Sequence, residues 1–177
     1  MHIIIDGYNL IRQSPSLSRL ERISLEEGRK GLIRRLSAYR KLRGNRITVV
    51  FDGWIDGASR ETRLKEGGLQ IVYSRRGEQA DEVIKRMSRK RGEEIVVVTS
   101  DRDVADAAVR SGNVALASAV FEMRMALDEI APAGQDDFFP DEQDDSESGR
   151  NSATKKRGPS RKPSKRERQA RRVLKKL

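Results

Sequence analysis

Apolar residues gather in five short, nearly continuous runs along the chain, spanning His2–Ile5, Ile47–Phe51, Leu69–Tyr73, Ile95–Thr99 and Val114–Ala117. They are rich in β-branched residues and do not alternate with polar ones. That pattern predicts strands covered on both faces, as in a parallel sheet. Between and after them the period becomes helical. Ser24 and Glu27 form a capping box before a helix expected to end near Gly44, with Leu25, Leu32, Leu36 and Tyr39 on one face. A second helix is predicted from about Ala80 to Arg91, with Val83, Ile84 and Met87 inward, and a third from Asp101 to Gly112. A fourth, over Ala119–Ile130, would turn Val120, Met123, Leu127 and Ile130 inward. Residues 53–68 have no clear period and are expected to form a loop with a short helix. The alternation of strands and helices predicts an α/β, doubly wound sheet.

The pattern changes after residue 131. From Pro132 to about Pro163 the chain is Asp, Ser, Gly, Pro and Lys, too polar to bury a core of its own. Ser164 and Glu167 then make another capping box, and Ala170, Val173, Leu174 and Leu177 recur at helical spacing. The expected organisation is a domain over 1–131, an acidic disordered linker over 132–154 and a basic tail over 155–177 that ends in a helix, stable once bound. Charge sharpens these boundaries. The formal net charge of +10 divides into +7 for residues 1–127, −8 for 128–154 and +11 for 155–177. Such a balance favours a polyanionic partner, nucleic acid first.

Composition also excludes chemistry. The 177 residues contain no cysteine, so there is no disulfide-linked partner, thiolate nucleophile or Cys-based metal centre. His2 is the only histidine and falls in a predicted strand, which excludes a His-based triad or a multi-His zinc site. No run is long and apolar enough for a membrane span, and a signal-peptide layout is missing at the N-terminus, so the sequence reads as cytoplasmic with no membrane partner.

The carboxylates are placed suggestively. In an open parallel sheet, ligands bind outside the carboxyl ends of the strands. The first strand ends on Asp6, the second on Asp52 and the fourth on "TSDRD", which supplies Asp101 and Asp103; "GEQAD" puts Asp81 at the start of the helix after the third. Taken singly, each reads as a helix cap or turn former. Together they would repel: two carboxylates about 5 Å apart cost roughly 3 kcal/mol at an effective dielectric of ~20. A divalent cation relieves that, and an all-oxygen set points to Mg²⁺ or Mn²⁺. Asn9 fits beside them as a neutral partner for a phosphate oxygen or a coordinated water, and Gly7 permits close backbone approach. Thr99 and Ser100 serve as caps or as hydrogen-bond partners of the acids.

The motifs "IIIDGYNLI", "VVFDG", "VVYSRRGEQADEVI" and "VVVTSDRDVADAA" resemble, in order, those of the YacP-type NYN domains of the PIN-like nuclease superfamily. The resemblance spans residues 1–130 and leaves out the tail. It implies a three-layer α/β/α, PIN-like (Rossmann-like) domain with a mainly parallel sheet, and metal-dependent endoribonuclease activity. The residues it carries over are Asp6, Asn9, Asp52, Asp81 and Asp101, with Asp103 a further candidate. Gln79 departs from it, since a small hydroxyl residue is expected there.

In the resulting mechanism, Mg²⁺ or Mn²⁺ on Asp6, Asp81, Asp101 and either Asp52 or Asp103 activates water for in-line attack on single-stranded RNA, leaving 5′-phosphate and 3′-hydroxyl ends. The resemblance further implies mRNA as substrate in a translation-linked setting, with the ribosome as a partner. Arg75, Arg76, Arg12 and Arg102 are candidates for phosphate contact, as are Arg60, Arg63 and Lys65. Tyr8 and Trp54 are candidates for stacking on bases. In the tail, Lys155, Lys156, Arg157, Arg161, Lys162, Lys165 and Arg166 would grip a polyanion. The alternative is a non-catalytic RNA-binding adaptor on the same fold. A haloacid-dehalogenase-type phosphotransferase is disfavoured by Tyr8, where a second Asp is needed. A phospho-acceptor receiver domain would account for neither Asn9 nor the basic tail.

Overall fold

The computed structural model describes residues 1–53, 59–90, 92–130, 165–174 and 176–177. In chain order they form β1 (His2–Asp6), α1 (Gly7–Gln13), α2 (Pro15–Ile23), α3 (Leu25–Arg43), β2 (Arg46–Phe51), β3 (Thr62–Glu66), β4 (Leu69–Tyr73), α4 (Ala80–Ser88), β5 (Ile95–Val98), α5 (Arg102–Arg110), β6 (Val114–Leu116), α6 (Ser118–Ile130) and α7 (Lys165–Leu174). The strands make one six-stranded sheet in the order β3-β4-β2-β1-β5-β6, parallel except for β3.

Alternate side chains of the central strands enter different cores. Ile3, Ile5, Val49, Phe51, Val96 and Val98 join Leu10, Leu32, Leu36 and Phe121 on the face covered by α1, α2, α3 and α6. Ile4, Val50, Val72 and Val97 meet Val83, Ile84, Met87, Val104 and Ala108 of α4 and α5 on the other face. The result is an α/β/α sandwich. Both faces of β1 are buried, which is why its sequence is apolar without alternation.

Three elements escape the sequence pattern. The segment expected as a loop with a short helix holds β3, an antiparallel edge strand. Its sequence, TRLKE, is charged and largely exposed, as suits a sheet edge protected from further pairing. A two-residue turn joins it to β4 through Gly67 and Gly68, both at positive φ (58° and 80°). Helices α1 and α2 lie where the sequence reading placed none, although Leu17, Leu20 and Ile23 recur at helical spacing along α2. Asp6 caps α1 by accepting from Asn9 N–H, and Ser14 caps α2 ahead of Pro15.

Helix α6 packs on a different face from the one its apolar spacing predicts. Val120, Met123 and Ile130 are exposed, whereas Phe121, Arg124, Met125 and Asp128 are buried. Phe121 and Met125, four residues apart, are the apolar pair that enters the core, and polar pairs with α3 flank them. Arg43 of α3 grips Asp128 through Nε (2.9 Å) and Nη2 (2.5 Å), and Arg35 meets Glu122 at 2.7 Å.

The basic terminal helix is docked on the body. Val173, Leu174 and Leu177 are buried in the core cluster that includes Tyr39 and Val114, while Arg171 and Arg172 face outward. Tyr39 Oη donates to the Leu177 carbonyl (2.8 Å), and Lys176 pairs with Glu94 (3.0 Å). Glu94 directly precedes β5, so the end of this helix sits at the amino ends of the strands, opposite the aspartates. His2 lies at that same far rim, its Nε2 2.8 Å from Thr48 Oγ1 and its Nδ1 3.4 Å from Glu93.

Candidate active site

Strands β2, β1 and β5 are neighbours, and their carboxyl ends present Asp52, Asp6 and Asp101 side by side. Helix α4 brings Asp81 over from the next layer. These four carboxylates and Asn9 line one cavity of about 930 Å³, together with Tyr8, Arg12, Arg29, Tyr73 and Gln79. Gly7 and Gly53 make the close approach possible. A Cβ on Gly7 would stand 2.3 Å from the Phe51 ring, and one on Gly53 would stand 1.9 Å from the Ser74 carbonyl oxygen.

Three of the acids are also helix caps, so the bland reading of each is correct as far as it goes. Asp6 Oδ1 accepts from Asn9 N–H (3.1 Å) and Asp101 Oδ1 from Val104 N–H (3.0 Å). Asp52 Oδ1 accepts from Ala80 N–H (2.6 Å), the first residue of α4. Gln79, the residue before α4, makes no side-chain capping bond, and Asp52 satisfies the first N–H of that helix. Each cap occupies Oδ1 and fixes the direction of its carboxylate.

Crowding shows in the acidities. Burial pushes the Asp6 carboxyl up to about 6; the Asp81 and Asp52 charges act the same way, against the Asn9 hydrogen bond and Arg12. Burial and then the Asp101 charge raise Asp81 above the usual carboxylate range, with Lys85 opposing. Such mutual repulsion inside one cavity marks a site that gains from a cation.

The donors fit a hard divalent ion in kind, being carboxylate oxygens. Among the described residues, no three of His, Cys, Asp and Glu are grouped tightly enough to hold a metal ion. Asp103 is not among the cavity residues: its side chain is 87% exposed and lies 3.7 Å from Lys85.

Asn9 is held by its carbonyl. Its Oδ1 accepts from Ser100 N–H (3.0 Å) and from Ser118 Oγ (2.7 Å). A backbone N–H can only donate, so the amide orientation is fixed and Nδ2 is the end left for a ligand. Its carbonyl already accepts two hydrogen bonds, which leaves the amide nitrogen as the end able to donate. Thr99 Oγ1 accepts from Asp101 N–H (3.1 Å) and braces that carboxylate. Ser118 escapes sequence reasoning because a serine at the start of a helix reads as a cap and nothing more.

The cationic candidates divide. Arg12 lines the cavity, 3.6 Å from Glu21 and over the Tyr8 ring. Arg75 pairs with Glu78 (3.4 Å) and Arg63 with Glu61, whereas Arg60, Arg76 and Arg102 are exposed. Tyr8 is a packing residue, 9% exposed and edge-on to Phe51, which removes its ring from the base-stacking candidates. Trp54, Lys155, Lys156, Arg157, Arg161 and Lys162 lie outside the described residues, as does the 132–154 linker. The backbone of Lys165 and Arg166 opens α7, but their side chains lie outside the described set. The described part of the tail sits at the rim opposite the aspartates. Among the described residues, no helix is long and apolar enough to cross a membrane.

Comparison with known proteins bears on the family and the fold. The family model of the YacP-like NYN domain matches residues 3–175 and so takes in the tail, which the motif resemblance left out. The protein YacP of Bacillus subtilis (strain 168) is 32% identical over 102 residues, 56% of this chain and 59% of that protein. The chain thus spans about three-fifths of that relative's length. The crystal structure of Rae1 (YacP) from Bacillus subtilis superposes with a TM-score of 0.61 at 26% identity, covering 73% of this chain and 76% of that one. A point mutant of the same protein gives 0.60 at 27% identity, covering 73% and 77%. With the family model covering almost its whole length, this chain belongs to the YacP-like NYN domain family.

Proposed function

We propose that this protein is a metal-dependent endoribonuclease acting on single-stranded RNA, with mRNA in a translation-linked setting as its substrate and the ribosome as a partner. The observation that carries the reading is the convergence of Asp6, Asp52, Asp81 and Asp101, from four separate segments, on one cavity where burial and mutual repulsion push Asp6 up to about 6. Asp6, Asp81 and Asp101 are the residues that would hold Mg²⁺ or Mn²⁺. When bound, the ion supplies charge neutralisation at the phosphodiester and a lowered pKa for water.

The remaining chemistry belongs to the chain. Asn9 Nδ2 donates to a non-bridging phosphate oxygen, oriented by Ser100 and Ser118. Asp52, fixed by the Ala80 N–H, takes the proton from water as its oxygen attacks phosphorus in line. The bond to the 3′-oxygen breaks, that oxygen is protonated, and the products carry 5′-phosphate and 3′-hydroxyl ends. Because water is the nucleophile, the RNA 2′-hydroxyl has no part in the step.

The test is cleavage of single-stranded RNA by the purified protein with Mg²⁺, Mn²⁺ or EDTA, with end-group analysis. Metal-dependent cleavage lost in Asp101→Asn is expected. Undiminished cleavage by that variant, or in EDTA, ends the mechanism. The second reading, a non-catalytic RNA-binding adaptor, draws on the lack of three tightly grouped acids among the described residues. RNA binding without metal-dependent cleavage would favour it.

A further inference from the structure

The cavity is also lined by a cation that the acid chemistry does not use. This is Arg29, half-buried on α3. Its Nη1 donates to Tyr8 Oη (3.0 Å), and its guanidinium lies 5.8 Å from the Tyr73 ring centroid. Tyr73 is in turn stacked on Phe51 at 5.7 Å and pairs with it in register across β4 and β2. Two neutral aromatic groups thus seat the cation without neutralising it.

Arg12, the other arginine that lines the cavity, differs in this respect and meets Glu21 at 3.6 Å. Among the described residues no carboxylate lies within 4 Å of Arg29. Glu26, the acid that senses its charge, is exposed and bonded to Lys30 at 2.7 Å. A guanidinium held in a cavity wall, with donors unspent and no counter-charge, is built for an anion with two coplanar oxygens, which a phosphodiester presents.

Position decides which phosphate. Phe51 and Tyr73 are each followed by cavity residues, Asp52 and Ser74, one strand residue or about 3.3 Å further on. The Arg29 seat therefore adjoins the acids within the same cavity. We infer that Arg29, seated by Tyr8 and Tyr73, binds the internal phosphate next to the scissile one and sets the register of the strand. The inference rests on the nuclease reading and adds a phosphate subsite to it.

The experiment uses the full chain and short fluorescent RNA oligonucleotides with 5′-hydroxyl ends, so that only internal phosphates are in play. One linkage in each is a neutral methylphosphonate, moved a position at a time. KM and kcat come from cleavage in Mg²⁺ or Mn²⁺, and Kd from anisotropy without metal. In the wild type, neutralising one linkage beside the cut should raise KM and Kd about tenfold, the scale of a charge-assisted contact. Arg29→Gln should show that same loss with every oligonucleotide and become indifferent to the methylphosphonate there. Arg29→Lys should recover part of it, with kcat held within about threefold throughout. The subsite is overturned if Arg29→Gln keeps the wild-type methylphosphonate profile, or if its loss falls on kcat alone. A wild type that cuts no RNA in either metal would remove the nuclease reading, and the anisotropy profiles would still decide on Arg29.

Discussion

Ser118 Oγ donates to Asn9 Oδ1 across 2.7 Å, joining the start of α6 to the first turn of α1. Ser118 is fully buried and Asn9 lines the aspartates' cavity, so a residue with no access to that cavity sets the direction of one that faces it. Ser118→Ala should cost about 1 kcal/mol of stability, the net worth of one hydrogen bond. Its larger effect should be on turnover, with kcat down about tenfold and KM little changed. Thermal melts and initial rates on the same preparations check both, and Ser118→Thr, which keeps the hydroxyl, should restore most of the rate. Equal losses in the alanine and threonine variants would show that packing matters here and the hydroxyl does not.

The raised pKa of Asp6 gives a pH-dependent cost to folding. Its folded value of about 6 exceeds the ordinary 3.8, so between those pH values the folded chain keeps a proton that the unfolded chain releases. Stability from this group therefore falls as pH rises through that window, and above about 6 the whole penalty is present. At about 1.4 kcal/mol per pH unit the cost is about 3 kcal/mol. Asp6→Asn should raise the stability of the metal-free protein by up to that amount at pH 7.5 and by little at pH 4. Urea melts at the two pH values measure the difference.

Divalent cation should reverse that penalty. Mg²⁺ or Mn²⁺ at 100 times its Kd would stabilise the wild type by about 2.7 kcal/mol. Asp81→Asn and Asp101→Asn should each lose most of this shift, and Asp103→Asn should keep it, since Asp103 is not a cavity residue. Thermal shift titrations against metal, with Ca²⁺ as a comparison, are sufficient.

The terminal helix contributes to the core as well as to charge. Leu174→Ala should cost 2–4 kcal/mol, the range for a leucine truncated in a packed interior. Arg171→Glu and Arg172→Glu, on the outer face, should leave stability within about 0.5 kcal/mol. If this face contacts RNA, each should lower the slope of log affinity against log salt by about 1. A five-residue strand is about 17 Å long, so RNA engaging both α7 and the aspartates must pass around the sheet. An unchanged slope would assign the helix to folding alone.

How much of this was legible in the sequence depends on which force dominated locally. β1, β2, β4, β5 and β6 were readable because burial on both faces writes a continuous apolar run. The carboxylates could be placed on one rim because a parallel sheet aligns its strand ends. β3 was hidden since an edge strand is selected for charge, although Gly67-Gly68 held the hairpin signal. The α6 face was misread because the helix carries two apolar pairings, and Phe121 with Met125, not Val120 with Met123, enters the core. Asn9 was found by its place beside Asp6. Ser118 and Arg29 were not, because their partners are 109 and 21 residues away and no local pattern encodes them.

Gly7 and Gly53 carry no functional group, yet each lies within van der Waals radius of what it would displace. A methyl at Gly53 would drive β2 from β4 beside Asp52, and one at Gly7 would dislodge the Phe51 ring against which Tyr8 leans. In a saturation screen scored by survival, these two positions should tolerate as little as the aspartates do. Such a map would mark four acids and two hydrogens with the same severity, and only chemistry could say which are reagents and which are empty space.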